Sequence, residues 1–447
     1  MKLSSLFLSA MGLFSLFSCQ SGNTGESTVI QPAPEVKSFK NARLVQVDSI
    51  MIDVIGNFKV YDYQPESELF LGGDIKVGGI IVMGAAPKSN ELGHMVINRK
   101  GEVIHQFNHT DKGPEGHGSG AIDNFFTSPN SIGVFSSKAL FQYHIDGSFL
   151  GKHPEINTQD QLSMSNHRVG FSSDGKHIAM GMAKGMEESK KAWDSLYQKG
   201  TALWFYNFDK PENSLSTENF QKALLGSDGF PDHPIYAPTS KFPHSPFPPR
   251  MALNHNRQEL LSVYPEIPEI TVYDMLTGAM TESYPLDPDY FEFETEEGKA
   301  TGGIKGYEGL LWLNRGGRMA NSKYHDIIQL GDYTLLRYST ALPSDAVNQL
   351  ITTGGPGKSD LWPSFRRKHY RFYYQLFKGS EKMLPDFELP LFEPKMGDTG
   401  FKNNSMTKGK IIGGNGLDEI FVFIPNDGEE ERDYELIRVF KLDLLEE

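Results

Sequence analysis

The sequence predicts an all-β fold, and two observations lead to that prediction. The 447 residues include 45 Gly and 26 Pro, and 12% are aromatic, which is typical of a globular, turn-rich chain with an aromatic core. In the stretch 101–151, apolar and polar residues alternate in three runs, Val103 to Phe107, Ser131 to Phe135 and Ala139 to Ile145. The pair Asp146-Gly147 closes the stretch and is a strong signal for a β-hairpin. We therefore expect short strands joined by tight turns.

The net charge and the cysteine content exclude some classes of function. The chain carries 57 acidic and 43 basic residues, a formal net charge of −14. This charge argues against nucleic-acid binding, because phosphate backbones are bound by clustered Lys and Arg. The single cysteine, Cys19, allows no internal disulfide and no cysteine-based zinc site. We expect no nucleic acid among the partners.

The N-terminal segment has the features of an export signal. Lys2 precedes an apolar run from Leu3 to Phe17, which is too short for a confident membrane span. Ser18 then places a small residue directly before Cys19. The segment resembles a bacterial lipoprotein signal, which implies that Cys19 is the lipid attachment site, although Phe17 is bulkier than that signal usually has. A plain secretory signal is the alternative.

Three regions follow from this pattern. We expect a signal peptide at 1–18, a flexible tether at 19–40, which is rich in Gly, Ser, Thr and Pro, and a single folded domain at 41–447. A lipid anchor places the protein at the outer membrane. Surface-displayed lipoproteins of the Bacteroidetes often carry an acidic cluster after the cysteine, whereas here only Glu26 is near. The periplasm-facing leaflet is therefore slightly favoured.

The pattern of strands and turns resembles a known family of folds. A glycine-rich loop at 116–120 precedes an acidic and aromatic step from Ile122 to Phe126, and this unit ends in the pattern y-x-x-D-G from Tyr143 to Gly147. Ser172 to Lys176 has the pattern S-x-D-G-k, which is common in TolB-like repeats. The sequence resembles six-bladed β-propellers of the NHL and TolB-like superfamily, especially Bacteroidetes lipoproteins of unknown function. The resemblance implies four-stranded antiparallel blades, six in number, with seven as the alternative.

The expected strands group into successive blades along the chain. A first strand within Leu44 to Ile55 is expected to close the ring by completing the last blade. The other expected strands, after those of 101–151, are Leu69 to Leu71, Gly79 to Met83 and His94 to Asn98; Asn166 to Phe171, Ile178 to Met182 and Ala202 to Phe208; Met251 to Tyr264, Glu269 to Met275 and Ala279 to Tyr284; Gly309 to Asn314, His325 to Leu330, Tyr333 to Ser339 and part of 368–377; and Lys410 to Gly413, Glu419 to Ile424 and Tyr434 to Leu442.

Three insertions interrupt this pattern. In the segment 185–200, Trp193, Leu196 and Tyr197 fall on one helical face, which predicts a short helix packed on a blade edge. Seven prolines in 230–250 exclude a central strand there and make this loop a candidate pocket wall. The third insertion, 340–365, is rich in Gly, Pro and Ser.

Loops on one face of a propeller, around its central channel, usually carry the functional residues. The candidate ligand-binding residues in such loops are Asn166, His167, Arg168, His244, Arg250, Arg315 and Arg318. Arginines from three separate units that converge on a channel suit an anionic or carboxylate-bearing ligand, because a guanidinium binds a carboxylate through two hydrogen bonds. The alternative is that these arginines tie surface loops together.

Metal binding and catalysis have less support in the sequence. The 13 histidines lack the spacings that aim two imidazoles at one metal, and His105, His109 and His117 are expected to be solvent-exposed turn residues. Calcium-dependent lactonase propellers suggest an alternative. The residues that such a calcium site would use are Asn124, Asn166, Asn314 and Asp418. We nominate no catalytic residue and expect no cofactor, with calcium as the open alternative.

The sequence thus favours a lipid-anchored cell-envelope propeller that acts as a non-catalytic scaffold for a ligand or a protein. A rigid ring with variable loops and no recognisable catalytic constellation suits binding better than chemistry. The expected partners are the membrane, through the lipid, and a small anionic or carbohydrate ligand or an envelope protein. The two alternatives are a calcium-dependent hydrolase related to lactonases and an accessory subunit of an outer-membrane uptake complex.

Overall fold

A computed structural model describes the following residues: 39–54, 58–74, 93–110, 113–118, 121–136, 139–153, 169–171, 176–181, 201–209, 215–219, 249–254, 257–265, 267–291, 322–341, 371–389, 410–424 and 433–446. These ranges contain strands, turns and irregular segments but no helix, and hence no helix long and apolar enough to cross a membrane. They belong to one compact unit, Ser38–Glu447.

The strands are short and follow one another closely. The first twelve are β1 (Phe39–Ile52), β2 (Phe58–Gln64), β3 (Leu69–Asp74), β4 (His94–Ile97), β5 (Val103–Phe107), β6 (Ala121–Ser128), β7 (Ser131–Ser136), β8 (Leu140–His144), β9 (Phe149–His153), β10 (Val169–Phe171), β11 (His177–Gly181) and β12 (Thr201–Asn207). The others are β13 (Leu215–Asn219), β14 (Arg250–Asn254), β15 (Glu259–Val263), β16 (Glu269–Asp274), β17 (Met280–Pro285), β18 (Lys323–Leu330), β19 (Tyr333–Ser339), β20 (Phe372–Lys378), β21 (Glu381–Lys382), β22 (Lys410–Gly414), β23 (Glu419–Ile424) and β24 (Glu435–Glu446).

These strands form six four-stranded antiparallel sheets. Five sheets use consecutive strands: β2–β5, β6–β9, β10–β13, β14–β17 and β18–β21 are the first to the fifth sheet. The sixth sheet consists of β22, β23, β24 and β1. The first strands of the sheets, β2, β6, β10, β14, β18 and β22, contact one another in a closed cycle. The prediction of an all-β propeller with four-stranded antiparallel blades is confirmed.

The N-terminal strand closes the ring, as the sequence predicts. β1 pairs with β24 along its whole length, from Phe39 opposite Glu446 to Ile52 opposite Glu435. Its inward side chains, which include Ile50 and Ile52, are buried. β1 begins at Phe39, inside the range expected for the tether. The sixth sheet is therefore built from both ends of the described chain.

The hydrophobic core lies between neighbouring sheets. Alternating residues of each strand pack against the sheet on one side or the other, as in β2, where Phe58 and Val60 pack toward the sixth sheet. Large rings fill these interfaces, and Phe126 and Tyr143 of the second sheet have no exposed surface. Burial of this kind is the main contribution to stability, because the favourable free energy scales with the apolar area removed from water.

The two ends of the ring differ in the length of their connections. In an antiparallel sheet, the turns between its first and second strands and between its third and fourth strands lie at one end, which we call the hairpin end. The longest of these connections is 208–214. All other connections start and finish at the opposite end, the loop end, and they include 154–168, 220–249, 286–322 and 340–371. Most of the sequence between the strands therefore starts and finishes at strand termini of the loop end.

The outer edge of each sheet packs on the next sheet along the chain. Phe107, at the end of β5, packs against Tyr143, next to the β8–β9 turn, with 5.9 Å between ring centroids. His153, at the end of β9, packs in the same way against Phe208 beyond β12, at 4.8 Å. The ends of these two outermost strands therefore fit against the outer hairpin of the following sheet, and we call such a contact between neighbouring sheets a seam.

The seam between the fourth and fifth sheets is held by a neutralised polar network. The Asp386 carboxylate, which has no exposed surface, accepts from Gln375 Nε2 at 3.1 Å and from the Tyr338 hydroxyl, and it pairs with Lys382 Nζ at 2.8 Å. Asp289 and Asp386 also exchange backbone-to-side-chain hydrogen bonds of 2.8 and 2.9 Å. Because Lys382 offsets the buried charge, this network is a structural clamp.

The fold differs from the expected strand order in a few places. The first strand of the first sheet is Phe58–Gln64, which the sequence pattern did not predict. The expected strands at 79–83 and 309–314 lie outside the described residues, and the first and fifth sheets have four strands without them. The expected helix at 185–200 and most of the proline-rich loop at 230–250 also lie outside the described residues.

Candidate functional site

A group of basic side chains lies at the loop end of the ring, between the fourth and fifth sheets. Arg250 is the first residue of β14 and Lys323 the first residue of β18, and these two strands contact each other. His325 follows on β18, and Arg337 lies on the adjacent strand β19. We call these four residues, together with the carboxylate of Asp326, the basic cluster.

A bulge in β18 positions His325. Tyr324 pairs with Tyr338 and Asp326 pairs with Arg337, so His325 is the extra residue in the ladder. Bulges bend a strand and redirect a side chain, and they are frequent next to functional sites. The backbone nitrogen of Tyr324 also donates to the carbonyl oxygen of Pro265 in the fourth sheet, at 2.7 Å. The bulged segment is thereby fixed against the neighbouring sheet.

A buried ion pair forms the floor of the basic cluster. Arg337 Nε and Nη2 both donate to Asp326 Oδ2, at 2.7 and 2.6 Å, and the two side chains are only 11% and 6% exposed. The guanidinium also lies over the Phe372 ring, with its carbon 5.2 Å from the ring centroid. Interactions of Arg337 with Asp326 and Tyr374 raise its pKa in spite of burial. The guanidinium is therefore a fixed positive charge.

His325 is held neutral by its surroundings. Its Nε2 lies 2.9 Å from Ser339 Oγ, and its ring meets the edge of Phe372 at 5.4 Å. Burial lowers the pKa of His325 well below its ordinary value. The charged groups that act on it are Arg337, Asp326, Arg250 and Lys323, and all but Asp326 lower the pKa further. Among the described residues, three cations and one carboxylate thus act on a neutral imidazole.

The local charge of the basic cluster is opposite to that of the whole chain. The formal net charge is −14, yet around His325 positive charges outnumber negative ones. Low-dielectric walls concentrate the field of such a group, and an anion is attracted to it more strongly than in open solvent. The arrangement is suited to holding an anionic group. Arg250 and Lys323, which are half-buried, are the members of the basic cluster that lie at the first positions of their strands.

The hydrogen bond between Ser339 and His325 resembles half of a hydrolase triad, but the geometry does not fit one. Ser339 has no exposed surface, so its hydroxyl is closed to a substrate. The neighbouring carboxylate of Asp326 accepts from Arg337, and the basic groups keep the imidazole from taking up a proton. A general base must accept a proton during the reaction, which this environment opposes.

Only one of the seven predicted ligand-binding residues lies in the described part of the chain. Arg250 lies in the basic cluster. The others, Asn166, His167, Arg168, His244, Arg315 and Arg318, lie outside the described residues, as does the predicted lipid attachment site Cys19. By position in the sequence, these six candidate ligand-binding residues belong to the connections that precede β10, β14 and β18. Sequence analysis missed Lys323, His325 and Arg337, because nothing in their spacing shows that a bulge and a neighbouring strand bring them together.

The residues considered for a calcium site do not come together where they are described. Asp418 lies in the β22–β23 turn at the hairpin end and pairs with Lys441 at 2.7 Å, whereas Asn124 is buried on β6. Asn166 and Asn314 lie outside the described residues. Across the described ranges, no three His, Cys, Asp or Glu side chains are arranged to hold a metal ion.

The histidines expected to be solvent-exposed behave differently from that prediction. His117 is only 3% exposed, and its Nε2 lies 3.0 Å from Nε2 of His94, which has no exposed surface. His109 and His105 are half-buried. The expectation is therefore wrong for His117, because β4 supplies a partner that is distant in sequence.

Comparisons with known proteins support the fold and assign no function. No protein-family model matches the chain, and no curated protein matches it. A solved structure of a DUF4221 family member from Bacteroides vulgatus is similar over 90% of this chain and 99% of its own, at 10% identity and a TM-score of 0.53. A putative exported protein from Bacteroides fragilis covers 92% of this chain and 97% of its own, with 10% identity and a TM-score of 0.45. A luciferin-regenerating enzyme covers 88% and 96%, with 10% identity and a TM-score of 0.38. At such identity these likenesses concern the fold alone.

Proposed function

We propose that this protein is a lipid-anchored, six-bladed propeller of the cell envelope that binds a small anionic ligand without catalysing a reaction. The observation that carries the proposal is the excess of positive charge around His325 at the loop end of the ring. Carboxylate is the ligand group that suits it best, because planar guanidinium groups bind carboxylates through paired hydrogen bonds. No cofactor is part of the proposal.

The position of the basic cluster supports a binding role. Arg250 and Lys323 begin β14 and β18, so they lie where the connections 220–249 and 286–322 join the ring. These connections contain His244, Arg315 and Arg318, which adds basic residues from the same part of the sequence. A rigid ring with functional side chains at the ends of its strands keeps the site preorganised, which lowers the entropic cost of binding.

A thermal-shift and calorimetry screen tests the proposal. The chain without residues 1–19 would be titrated with mono-, di- and tricarboxylates, sulfate and neutral sugars at low and high salt. An anion at a hundred times its Kd adds about 2.7 kcal/mol to folding stability, which corresponds to a rise in Tm of about 3 °C for a chain of this size. High salt is expected to weaken the effect.

Charge-neutral variants identify the site. Arg250→Gln and Lys323→Gln are each expected to weaken anion binding about tenfold or more, since a hydrogen bond to a charged group contributes about 1.5–3 kcal/mol. Arg43→Gln is the matched control, because it removes one exposed positive charge on β1 that pairs with Asp443. Equal binding by all three variants, or a shift with neutral sugars only, would contradict the proposal.

The lipid anchor has a separate test. Wild-type protein is expected in the membrane fraction and Cys19→Ser in the soluble fraction, because the lipid is attached through the thiol. Protease treatment of intact cells would then distinguish the two leaflets, with protection expected for the periplasm-facing one. Recovery of Cys19→Ser in membranes at the wild-type level would contradict anchoring through this residue.

One observation favours a second candidate function. The 2.9 Å contact between Ser339 Oγ and His325 Nε2 is of the kind that activates a serine nucleophile, so a hydrolase is the alternative. A fluorophosphonate probe distinguishes the two. We expect no labelling, since Ser339 is fully buried; labelling that is lost in Ser339→Ala would favour the hydrolase.

A further inference from the structure

The connection between the first and second sheets is held in place by histidines. Its described residues are 108–110 and 113–118. Nε2 of His109 donates to the carbonyl oxygen of Gly147 at 2.8 Å, and the imidazole stacks on Tyr143 with 4.8 Å between centroids. The Tyr143 hydroxyl donates to the carbonyl oxygen of Glu115 at 2.6 Å, and the backbone nitrogen of His117 donates to the carbonyl oxygen of His109 at 2.9 Å. The second sheet thus contacts both parts of the connection.

A buried histidine pair attaches the connection to the first sheet. His94 is the first residue of β4, and its Nε2 lies 3.0 Å from Nε2 of His117. The two side chains are 0% and 3% exposed. Phe107 packs against His94, with 5.2 Å between ring centroids, and Phe141 meets His117 at 6.4 Å. Water is therefore excluded from the pair by rings of both sheets.

The hydrogen bonds determine where the protons lie. Nδ1 of His117 is 2.6 Å from the carbonyl oxygen of Gly118, which can only accept, so this nitrogen carries a proton. In a neutral His117, Nε2 is then an acceptor, and Nε2 of His94 must be the donor. Nδ1 of His94 is consequently a bare acceptor, and it is buried without a hydrogen-bond donor among the described residues. A proton added to Nδ1 of His94 would likewise find no hydrogen-bond acceptor among the described residues.

Protonation of His94 would place an uncompensated charge in this seam. Burial, together with the neighbouring His117 and His109, lowers the pKa of His94 to about 3. Asp146 interacts with the outer histidines His144 and His105 instead. Apart from the pair, the described ionisable side chains on the elements packed here are His105 on β5, His109 and Glu115 in the connection, Tyr143 and His144 on β8, Lys152 and His153 on β9, and Asp146 in the turn between β8 and β9. By contrast, the seam of the fourth and fifth sheets contains the offsetting pair of Asp386 and Lys382.

We propose that His94 and His117 form a pH-sensitive latch, which holds the described parts of the connection, 108–110 and 113–118, on the first seam at neutral pH and releases them on acidification. When the connection opens, His94 reaches water and takes up a proton, which prevents the latch from closing again. The latch lies beside the loop end, where β5 leaves the first sheet and the chain passes to β6. Release would change the surface of the ring at the first seam and leave the strands of both sheets intact.

Hydrogen exchange measured by mass spectrometry tests the latch on the whole mature chain. The peptide that covers 108–118 would be compared at about pH 7.5 and about pH 5.5, after division by the intrinsic exchange rate at each pH. Opening is linked to the uptake of one proton near the ordinary pKa of histidine. The protection of this peptide is therefore expected to fall about tenfold between the higher and the lower pH. A peptide from β7 serves as the internal control and is expected to keep its protection.

Two variants separate the latch from general acid sensitivity. His94→Phe keeps a ring beside Phe107 but cannot titrate, and we expect the exchange of 108–118 to lose its pH dependence. His144→Gln is the matched control, because it removes an exposed histidine from β8, and it should behave as wild type. If His94→Phe melts far below wild type, His117→Phe replaces it with the same expectation. The proposal would be overturned if the protection of 108–118 in the wild type did not change with pH. It would also be overturned if acidification reduced this protection in the His94 and His117 variants as much as in the wild type.

Discussion

Gly147 shows how one residue can serve two elements. It has a positive φ of 90° in the β8–β9 turn, and a Cβ atom added there would lie 2.6 Å from Cβ of Phe107 in the first sheet. Its carbonyl oxygen also accepts from His109. The turn chemistry was predictable from the Asp146-Gly147 pair, but the close approach of a neighbouring sheet was not, because that contact depends on how two sheets pack.

Substitution of Gly147 is therefore expected to cost more than turn strain. For Gly147→Ala we expect a loss of about 2–5 kcal/mol in the free energy of unfolding, from left-handed backbone strain plus overpacking against Phe107. Gly379→Ala is the control, since Gly379 has a φ of 59° and nothing within 4 Å of an added Cβ. That variant should lose about 1–2 kcal/mol. Urea unfolding measures both, and equal losses would contradict the packing argument.

Two neutral histidines, the buried His94 and the half-buried His325, make the folded protein sensitive to acid. Burial lowers the pKa of both His94 and His325, so the unfolded chain binds protons near the ordinary histidine pKa while the folded chain does not. Their contribution to stability is complete above about pH 6.5 and is lost as the pH falls toward the folded-state pKa values, by about 1.4 kcal/mol per pH unit for each histidine. Urea midpoints between about pH 7.5 and about pH 5.5 measure this slope. His325→Phe is expected to reduce it, and a slope equal to wild type would contradict the assignment.

At the scale of elements, short apolar runs bounded by turn residues predicted most strands, because each sheet packs on both faces between neighbours. The fourth sheet illustrates this agreement. The expected strands, Met251 to Tyr264, Glu269 to Met275 and Ala279 to Tyr284, lie close to the observed strands β14 to β17. β2 was missed because Lys59 and Asp62 interrupt its apolar run. Asp62 nevertheless belongs in the strand, since its carboxylate accepts from the backbone nitrogen of Phe126 on β6 at 2.8 Å and so ties two sheets together.

Of the basic side chains in the basic cluster, the sequence predicted only Arg250. Arg250 follows a proline-rich loop, which marked it as a candidate, whereas His325 and Arg337 lie within strands and look like ordinary strand residues. A bulge is what separates His325 from its neighbours, and a single sequence carries no clear signal for a bulge without glycine. The chemistry of the cluster thus comes from strand register.

The ion pair beneath the cluster is expected to be costly to break. Arg337→Met leaves Asp326 buried without its cation, and a loss of about 3–5 kcal/mol is expected. The double variant Arg337→Met with Asp326→Leu should recover much of that loss, because no charge then stays buried. Arg43→Met, which breaks the exposed pair with Asp443, is the control and should cost about 0–1 kcal/mol. Urea unfolding of the four proteins gives the values, and a double variant as unstable as the single one would contradict the charge argument.

At the scale of the whole molecule, the ring depends on its first strand. β1 forms the outer edge of the sixth sheet and buries Leu44, Ile50 and Ile52. Each large apolar side chain contributes about 1.5–3 kcal/mol when fully buried, so the strand contributes on the order of 5 kcal/mol or more. The sequence predicted this closure, because an extended N-terminal strand outside the first blade has no other place to pair.

Truncation tests this dependence. A chain that starts at Ser38 keeps β1 and is expected to keep the association state and the melting temperature of the longer chain. A chain that starts after Ile52 leaves β24 as an open edge, and we expect lower stability and association through that edge. Size-exclusion chromatography and thermal melting would compare the two, and indistinguishable behaviour would contradict closure by β1.

The pairing of β1 with β24 also sets an order of events during biosynthesis. Five sheets use neighbouring stretches of chain and can form as soon as those stretches emerge, but the strand made first must wait for the strand near residue 446. Contacts between residues so far apart form slowly, and an unpaired edge invites association while it waits. Synthesis of the chain from its N-terminus therefore produces an open ring first, and a factor that shields the leading strand during that interval would raise the yield of closed protein.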